Sequence, residues 1–238
     1  MQTMTVQLSE FYPYLAPSFP GAPTPALNMA IIQAAKEFCE ETNIWLQLLD
    51  PIDIVSLQYE YSLSVPSGME AYADLIGVES VKYKQDGEDE DQFVSLKPLS
   101  EIQVDREARD GAVSAGWKYE EEPAPGYYYI DPATPGILSL YPTPDTASAE
   151  GLLVRAILTP LDTATVLPDF LKQKWQRAIV YGAKEFLYSI TSQPWADPNL
   201  EMRAKIDFSN EKVRAKYHAI TGEVTMNTMV RMRGSSWL

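Results

Sequence analysis

The sequence has 238 residues, 45% hydrophobic and 22% charged, which is enough chain to bury a core in one large domain or two small ones. Such a composition excludes a collagen-like, disordered or disulfide-rich chain, and no apolar run reaches the ~18 to 20 residues that span a bilayer. The formal net charge of −14 argues against a nucleic-acid clamp, because duplex binding depends on neutralising phosphates.

The opening MQTMTVQLSEFYPYLAPSF lacks a basic stretch followed by an apolar core, so no signal peptide is expected. Residues 11–25 carry five prolines (Pro13, Pro17, Pro20, Pro23 and Pro25), which predicts an extended, semi-rigid lead-in. A helix is predicted from about 25 to 43, with Thr24 as its cap and Pro25 at its first position. Leu27, Ile31, Ala34, Phe38 and Trp45 make its apolar stripe. Cys39 sits on this helix and reads as a small buried apolar side chain rather than a nucleophile. It is the sole cysteine, so no disulfide can form within the chain, and maturation in a reducing compartment is expected.

The middle of the chain changes character. IDIVSLQYEYSLSV alternates as a strand, with Ile54, Ser56, Gln58 and Glu60 opposed to Val55, Leu57, Tyr59 and Tyr61. LIGVESVKYK, FVSLKPL, GYYYID, ILSLYP and LLVRAILTP are further strand candidates, and residues 99–109 read as a short helix or an irregular loop. About six short strands between 51 and 159 predict an antiparallel sheet or small sandwich. The acidic run Asp86, Gly87, Glu88, Asp89, Glu90 and Asp91 is the one plausible ion site, but it lacks the spacing of a calcium loop and reads as a solvated loop tip.

The helical period returns at LPDFLKQKWQRAIVYGAKEFLYSI, where Leu171, Trp175, Ile179, Gly182 and Phe186 share a face. Gly182 in mid-helix costs roughly 1 kcal/mol against alanine, a loss that a close helix crossing would offset. After the break SQPWADPN a last helix follows, with Ile206, Val213, Tyr217 and Ile220 as its expected stripe and Gly222 as its end. His218, the single histidine, reads as a helix-end residue near the negative pole. Residues 222–238 alternate with period two and hold Val224, Met226, Met229, Val230, Arg231, Met232, Arg233 and Trp237. The segment reads either as a frayed tail or, since its methionines and Trp237 are less polar than a free tail usually is, as an arm that docks on a partner or adds a strand to it. From residue 201 onward seven Lys/Arg face four Asp/Glu, giving +3, while the remainder is −17. The two parts therefore suit different neighbours.

The expected fold is α+β: a small helical bundle, made by the N-terminal helix and two C-terminal helices, with an inserted antiparallel β domain and an extended C-terminal arm. The divisions are residues 1–48 (proline-rich lead and first bundle helix), 49–160 (inserted β domain), 161–221 (C-terminal bundle helices) and 222–238 (arm). No catalytic residue is expected. A triad or a Cys–His pair would need His218, zinc would need several Cys or His, no phosphate loop or dinucleotide fingerprint is present, and no carboxylate pair stands out for glycoside hydrolysis. No metal and no cofactor is expected.

Several blocks carry a family resemblance. PGAPTPAL followed by AIIQAAKEFCEETNIW, then GWKY, GYYYID and LSLYPTP, and above all LPDFLKQKWQRAIVYGAKEFLYSITSQPWADPNLEMRAKIDF, resemble the head-to-tail adaptor (connector) proteins of tailed bacteriophages. The relatives in view include the tail tubular protein A of short-tailed phages. The resemblance implies a structural virion protein at the portal–tail junction, assembled in the host cytoplasm. It implies a ring, commonly of twelve copies, that joins the portal protein to the tail nozzle or tail tube protein. DNA would pass through the lumen without specific binding, and no membrane is involved. It also implies that the arm reaches the portal. Two other readings stay open: a soluble binding or tail-fibre accessory module carried by the β block, and a virion-associated cell-wall hydrolase using a carboxylate pair or His218.

Overall fold

The computed structural model of the chain describes residues 4–84, 93–99, 121–122 and 124–221. The acidic run 86–91, the GWKY block, residues 100–109 and the arm 222–238 lie outside the described residues.

The chain enters through strand β1 (Thr5–Gln7), a 3-10 turn (Leu8–Phe11) and a short helix, α1 (Tyr12–Leu15). The lead expected to be extended is therefore partly helical. Pro13 falls in the first turn of α1, where its missing N–H would have had no partner. Burial of Phe11, Leu15 and Phe19 draws this segment onto the core. Helix α2 (Thr24–Thr42) buries Leu27, Ile31, Ala34 and Phe38 as the spacing predicts. Thr24 is its first residue rather than its cap, the capping position belongs to Pro23, and Asn43 ends the helix with φ 50°.

Strands then follow: β2 (Leu46–Leu48), β3 (Ile52–Ile54), β4 (Glu60–Ser62), β5 (Ala73–Tyr83), β6 (Val94–Ser95), β7 (Lys97–Pro98), β8 (Glu121–Glu122), β9 (Tyr127–Ile130), β10 (Ile137–Tyr141), β11 (Thr143–Pro144), β12 (Ser148–Pro160) and β13 (Val166–Pro168). The run expected as one strand from Ile52 breaks in two, because the chain turns at Leu57 with φ 63°. Its halves serve different sheets. β3 pairs with β12, while β4 pairs with β10. β12 is the spine of the larger sheet, antiparallel to β2, β3 and β5. The second sheet runs β4–β10–β9–β7 and is antiparallel except for its β7–β9 edge. β1 pairs with β13 and so ties the N-terminal segment to the entrance of the next helix.

Helices α3 (Asp169–Tyr188) and α4 (Pro198–Thr221) complete a mixed α+β fold, with four α-helices and several antiparallel sheets among the described residues. α2 packs on α3, α3 packs on α4, and α2 also meets β12. Phe38, Ile179 and Phe208 from the helices share one continuous apolar core with Val154, Leu158 and Leu140 from the sheets.

α2, α3 and α4 come close together at Gly182. A Cβ there would stand 2.8 Å from the Cβ of Ala34 and 2.9 Å from Cζ of Phe208. The ring of Phe208 therefore sits in a notch between α2 and α3, stacked on Phe38 with centroids 6.3 Å apart. This seat fixes the rotation of α4 and corrects the expected stripe. Ala204, Phe208 and Ala215 are buried, while Ile206, Val213 and Tyr217 face outward. The larger aliphatic side chains lost the inward positions because α4 approaches too closely for anything but alanines beside Phe208.

A polar clamp holds the same rotation. Lys212, with its side chain 13% exposed, reaches Glu37 and Glu41 of α2 at 2.7 Å each, and its ammonium lies 4.6 Å from the Phe208 ring centroid. Burial pulls the Lys212 ammonium down, but its bonds to Glu37 and Glu41 outweigh this and hold it above its ordinary 10.5. The hydrogen bond from Lys212 holds the Glu41 carboxyl below its ordinary 4.5.

Two outcomes follow. Gly182→Ala gains helix propensity but forces three helices apart, so we expect a net loss of about 1 to 3 kcal/mol in urea unfolding. Ala34→Gly in the same chain should recover part of that loss, whereas an equal loss with and without it would show that the crossing is not the cause. Lys212→Met should cost about 1 kcal/mol near neutral pH, a modest value because both glutamates are well exposed. The depressed Glu41 contributes stability above its unfolded value of 4.5 that is lost as pH falls through the folded value. The raised Lys212 contributes stability at neutral pH that is lost as pH rises through its folded value above 10.5. The acid and alkaline limbs of the stability–pH curve should both be flatter in Lys212→Met than in the native chain.

Candidate interaction surfaces

The two side chains most able to do chemistry are held as structural groups. Cys39 is fully buried on α2, and burial pushes its thiol far above the ordinary range, which leaves it unreactive. His218 lies half-buried in the last turn of α4, its ring edge-on to Trp175 at 5.7 Å between centroids. Trp175 in turn contacts Phe38 and the Arg214 guanidinium, so the histidine completes an aromatic cluster at the helix end. Among the described residues no group of His, Cys, Asp or Glu could hold a metal ion, and no helix is long and apolar enough to cross a membrane.

What the molecule presents outward is more distinctive. On α4, Met202, Ile206 and Val213 are 67%, 56% and 64% exposed, and Tyr217 shares their face. Met202 and Val213 are eleven residues apart, about three turns, and so lie in line. Arg203 and Arg214 repeat that spacing along one side of the stripe, Lys205 and Lys216 along the other. All four are exposed, while the acids of the helix, Glu201, Asp207 and Glu211, are only half-exposed. The outer face of α4 is thus an apolar stripe between two cationic rows. Three of the four cations are paired, Lys205 with Glu185 at 3.9 Å, Lys216 with Glu41 at 3.6 Å and Arg214 with Glu211 at 3.4 Å, but in each pair the cation stays in solvent and the pair holds little energy.

A second surface sits on the larger sheet. The turn between β3 and β4 exposes Val55 and Leu57 by 52% and 59%. Its conformation is fixed from both sides. The Leu57 N–H donates to the Pro144 carbonyl, and the Ser56 hydroxyl donates to the Asp145 carbonyl. The Glu150 N–H donates to Asp53, and Glu150 itself has φ 50°. Beside it a Cβ at Gly151 would stand 2.7 Å from Cδ1 of Ile54, so β3 lies unusually close to β12. Exposed Asp53, Glu60, Asp145 and Glu150 surround the two apolar side chains. This is an apolar knob in an acidic rim.

The arm residues singled out from sequence, Val224, Met226, Met229, Val230, Arg231, Met232, Arg233 and Trp237, all lie outside the described residues. α4 delivers the chain to them beside a groove of about 430 Å³ lined by Asn43, Leu46, Ile157 and Ala219, where the helices meet the larger sheet. Sequence reasoning missed the α4 stripe and the knob as surfaces. The available signal was the basic residues placed one and three positions after Met202 and again after Val213, a pattern that marks a solvent face.

A family model described as SU10 adaptor protein matches residues 10–223, most of the chain. No curated protein matches it.

Proposed function

This chain belongs to the SU10 adaptor protein family, a family of phage structural adaptors, and on that premise we propose that it forms a ring between the portal and the tail of the virion. The ring, commonly of twelve copies, would receive the tail nozzle or tail tube protein and conduct DNA during ejection. In this reading the protein is assembled in the host cytoplasm, resides at the portal–tail junction and resembles tail tubular protein A. The observation that carries the proposal is the family match over residues 10–223.

Charge supports it. At −14 the chain repels DNA, so a conduit built from it would let the genome slide rather than hold it. The reading assigns the portal contact to the arm, residues 222–238, through Val224, Met226, Met229, Val230, Met232 and Trp237 with Arg231 and Arg233. Many weak arms acting together would bind tightly through effective concentration. The packing of α2, α3 and α4 on one another supports the division into a helical part, 1–48 and 161–221, and a β part, 49–160.

Deleting residues 222–238 should leave the chain folded by circular dichroism but unable to attach to portal-bearing, tailless particles. Attachment at the native level by the shortened chain would overturn the role given to the arm. Electron microscopy of particles labelled at the C-terminus should place the label on the portal side of the ring.

A further inference from the structure

We propose that neighbouring copies of this chain join head to tail, with the Val55–Leu57 knob of one copy seated on the Met202–Ile206–Val213 stripe of the next. The inference rests on the ring reading for its biological setting and adds to it a specific pair of faces.

The two surfaces are complementary in both respects that matter. The stripe is apolar between exposed Arg203 and Arg214 on one side and exposed Lys205 and Lys216 on the other. The knob is apolar within exposed Asp53, Glu60, Asp145 and Glu150. They lie on separate parts of one copy. The C-terminal end of α4 borders Ile157, whereas the knob borders Ser148, nine residues away along β12 and on the order of 30 Å at strand rise. One copy therefore presents two different faces, which is what a closed head-to-tail ring requires.

Charge also selects against the other occupants. Two stripes face to face would oppose four cations to four. The chain's own residues 222–238 carry Arg231 and Arg233 against Glu223 and are net cationic, so they are a poor cover for a cationic face. A second copy is strongly acidic as a whole and offers the rimmed knob. The left-handed backbone at Leu57 and Glu150 and the hydrogen bonds across the turn pre-organise the knob, so little freedom is lost on docking.

The test uses purified full-length chain. Cys39 is buried and unreactive, so engineered thiols can be addressed alone. Leu57→Cys and Val213→Cys chains, mixed and treated with a short bis-maleimide, should give a covalent dimer that neither chain gives by itself. The double variant should give a ladder. Arg203→Glu/Lys205→Glu in the Val213→Cys chain should lower the mixed product at least tenfold, and Asp145→Lys/Glu150→Lys in the Leu57→Cys chain should restore it. All these positions are exposed, and circular dichroism should confirm that each variant is folded. Val213→Cys chains linking to one another at the yield expected of the mixture would overturn the proposal in favour of a two-fold contact. No mixed product, or a mixed product insensitive to the charge reversals, would overturn it whatever else the chain does. Rings on portal-bearing particles, imaged separately with the native chain, decide the ring reading. Rings present without the mixed cross-link sink only these faces, and rings absent sink the reading beneath them.

Discussion

Three helices meet at Gly182, and the absence of one side chain there decides how the rest of the molecule is displayed. With a Cβ at that position, Ala34 and Phe208 would both be within 3 Å of it, and α4 could not lie against α2 and α3 as it does. Once Phe208 occupies the notch, the rotation of α4 has no freedom left. Ala204 and Ala215 turn inward, Met202, Ile206 and Val213 turn outward, and Lys212 is brought to Glu37 and Glu41. The clamp is worth little by itself in solvent. Its position on the rim of the crossing makes it a register pin, since a helix slipped by one residue would break both ion pairs and the contact of the ammonium with the Phe208 ring.

The same device recurs in the larger sheet. Gly151 lets Ile54 approach β12 closely, Asp53 of the same strand accepts from the Glu150 N–H, and the turn that follows is stitched to Pro144 and Asp145. A turn held this way can expose two aliphatic side chains without collapsing onto the core. In both places a missing methyl group inside the fold produces a defined apolar feature outside it.

For an adaptor, such surfaces matter more than any cavity. The chain carries its charge unevenly, with an acidic body and a cationic last helix, and like copies repel except where opposite patches meet. In the head-to-tail contact proposed above, an arrangement of this kind would favour one orientation. It also explains why His218 and Cys39, the residues that first attract a chemical reading, serve packing: one closes an aromatic cluster with Trp175, and the other fills space on α2.

Residue pattern alone was enough for the class of fold, the extents of α2 and α3 to within a residue or two, the burial of Cys39, and a close crossing at Gly182. Each of these depends on a local period or on one residue whose cost demands a reason. The resemblance read in the C-terminal helical pair likewise agrees with the family match. Tertiary structure alone decided which face of α4 points inward, because Phe208 with two alanines and the aliphatic set Ile206 and Val213 are both credible stripes at helical spacing. Only the notch between α2 and α3 distinguishes them. It also split the run at Leu57 into two strands, since alternation records which residues could face a sheet but not which sheet they join. And it drew Pro13 into α1, because burial of Phe11, Leu15 and Phe19 outweighs the local preference of a proline-rich segment for extended backbone.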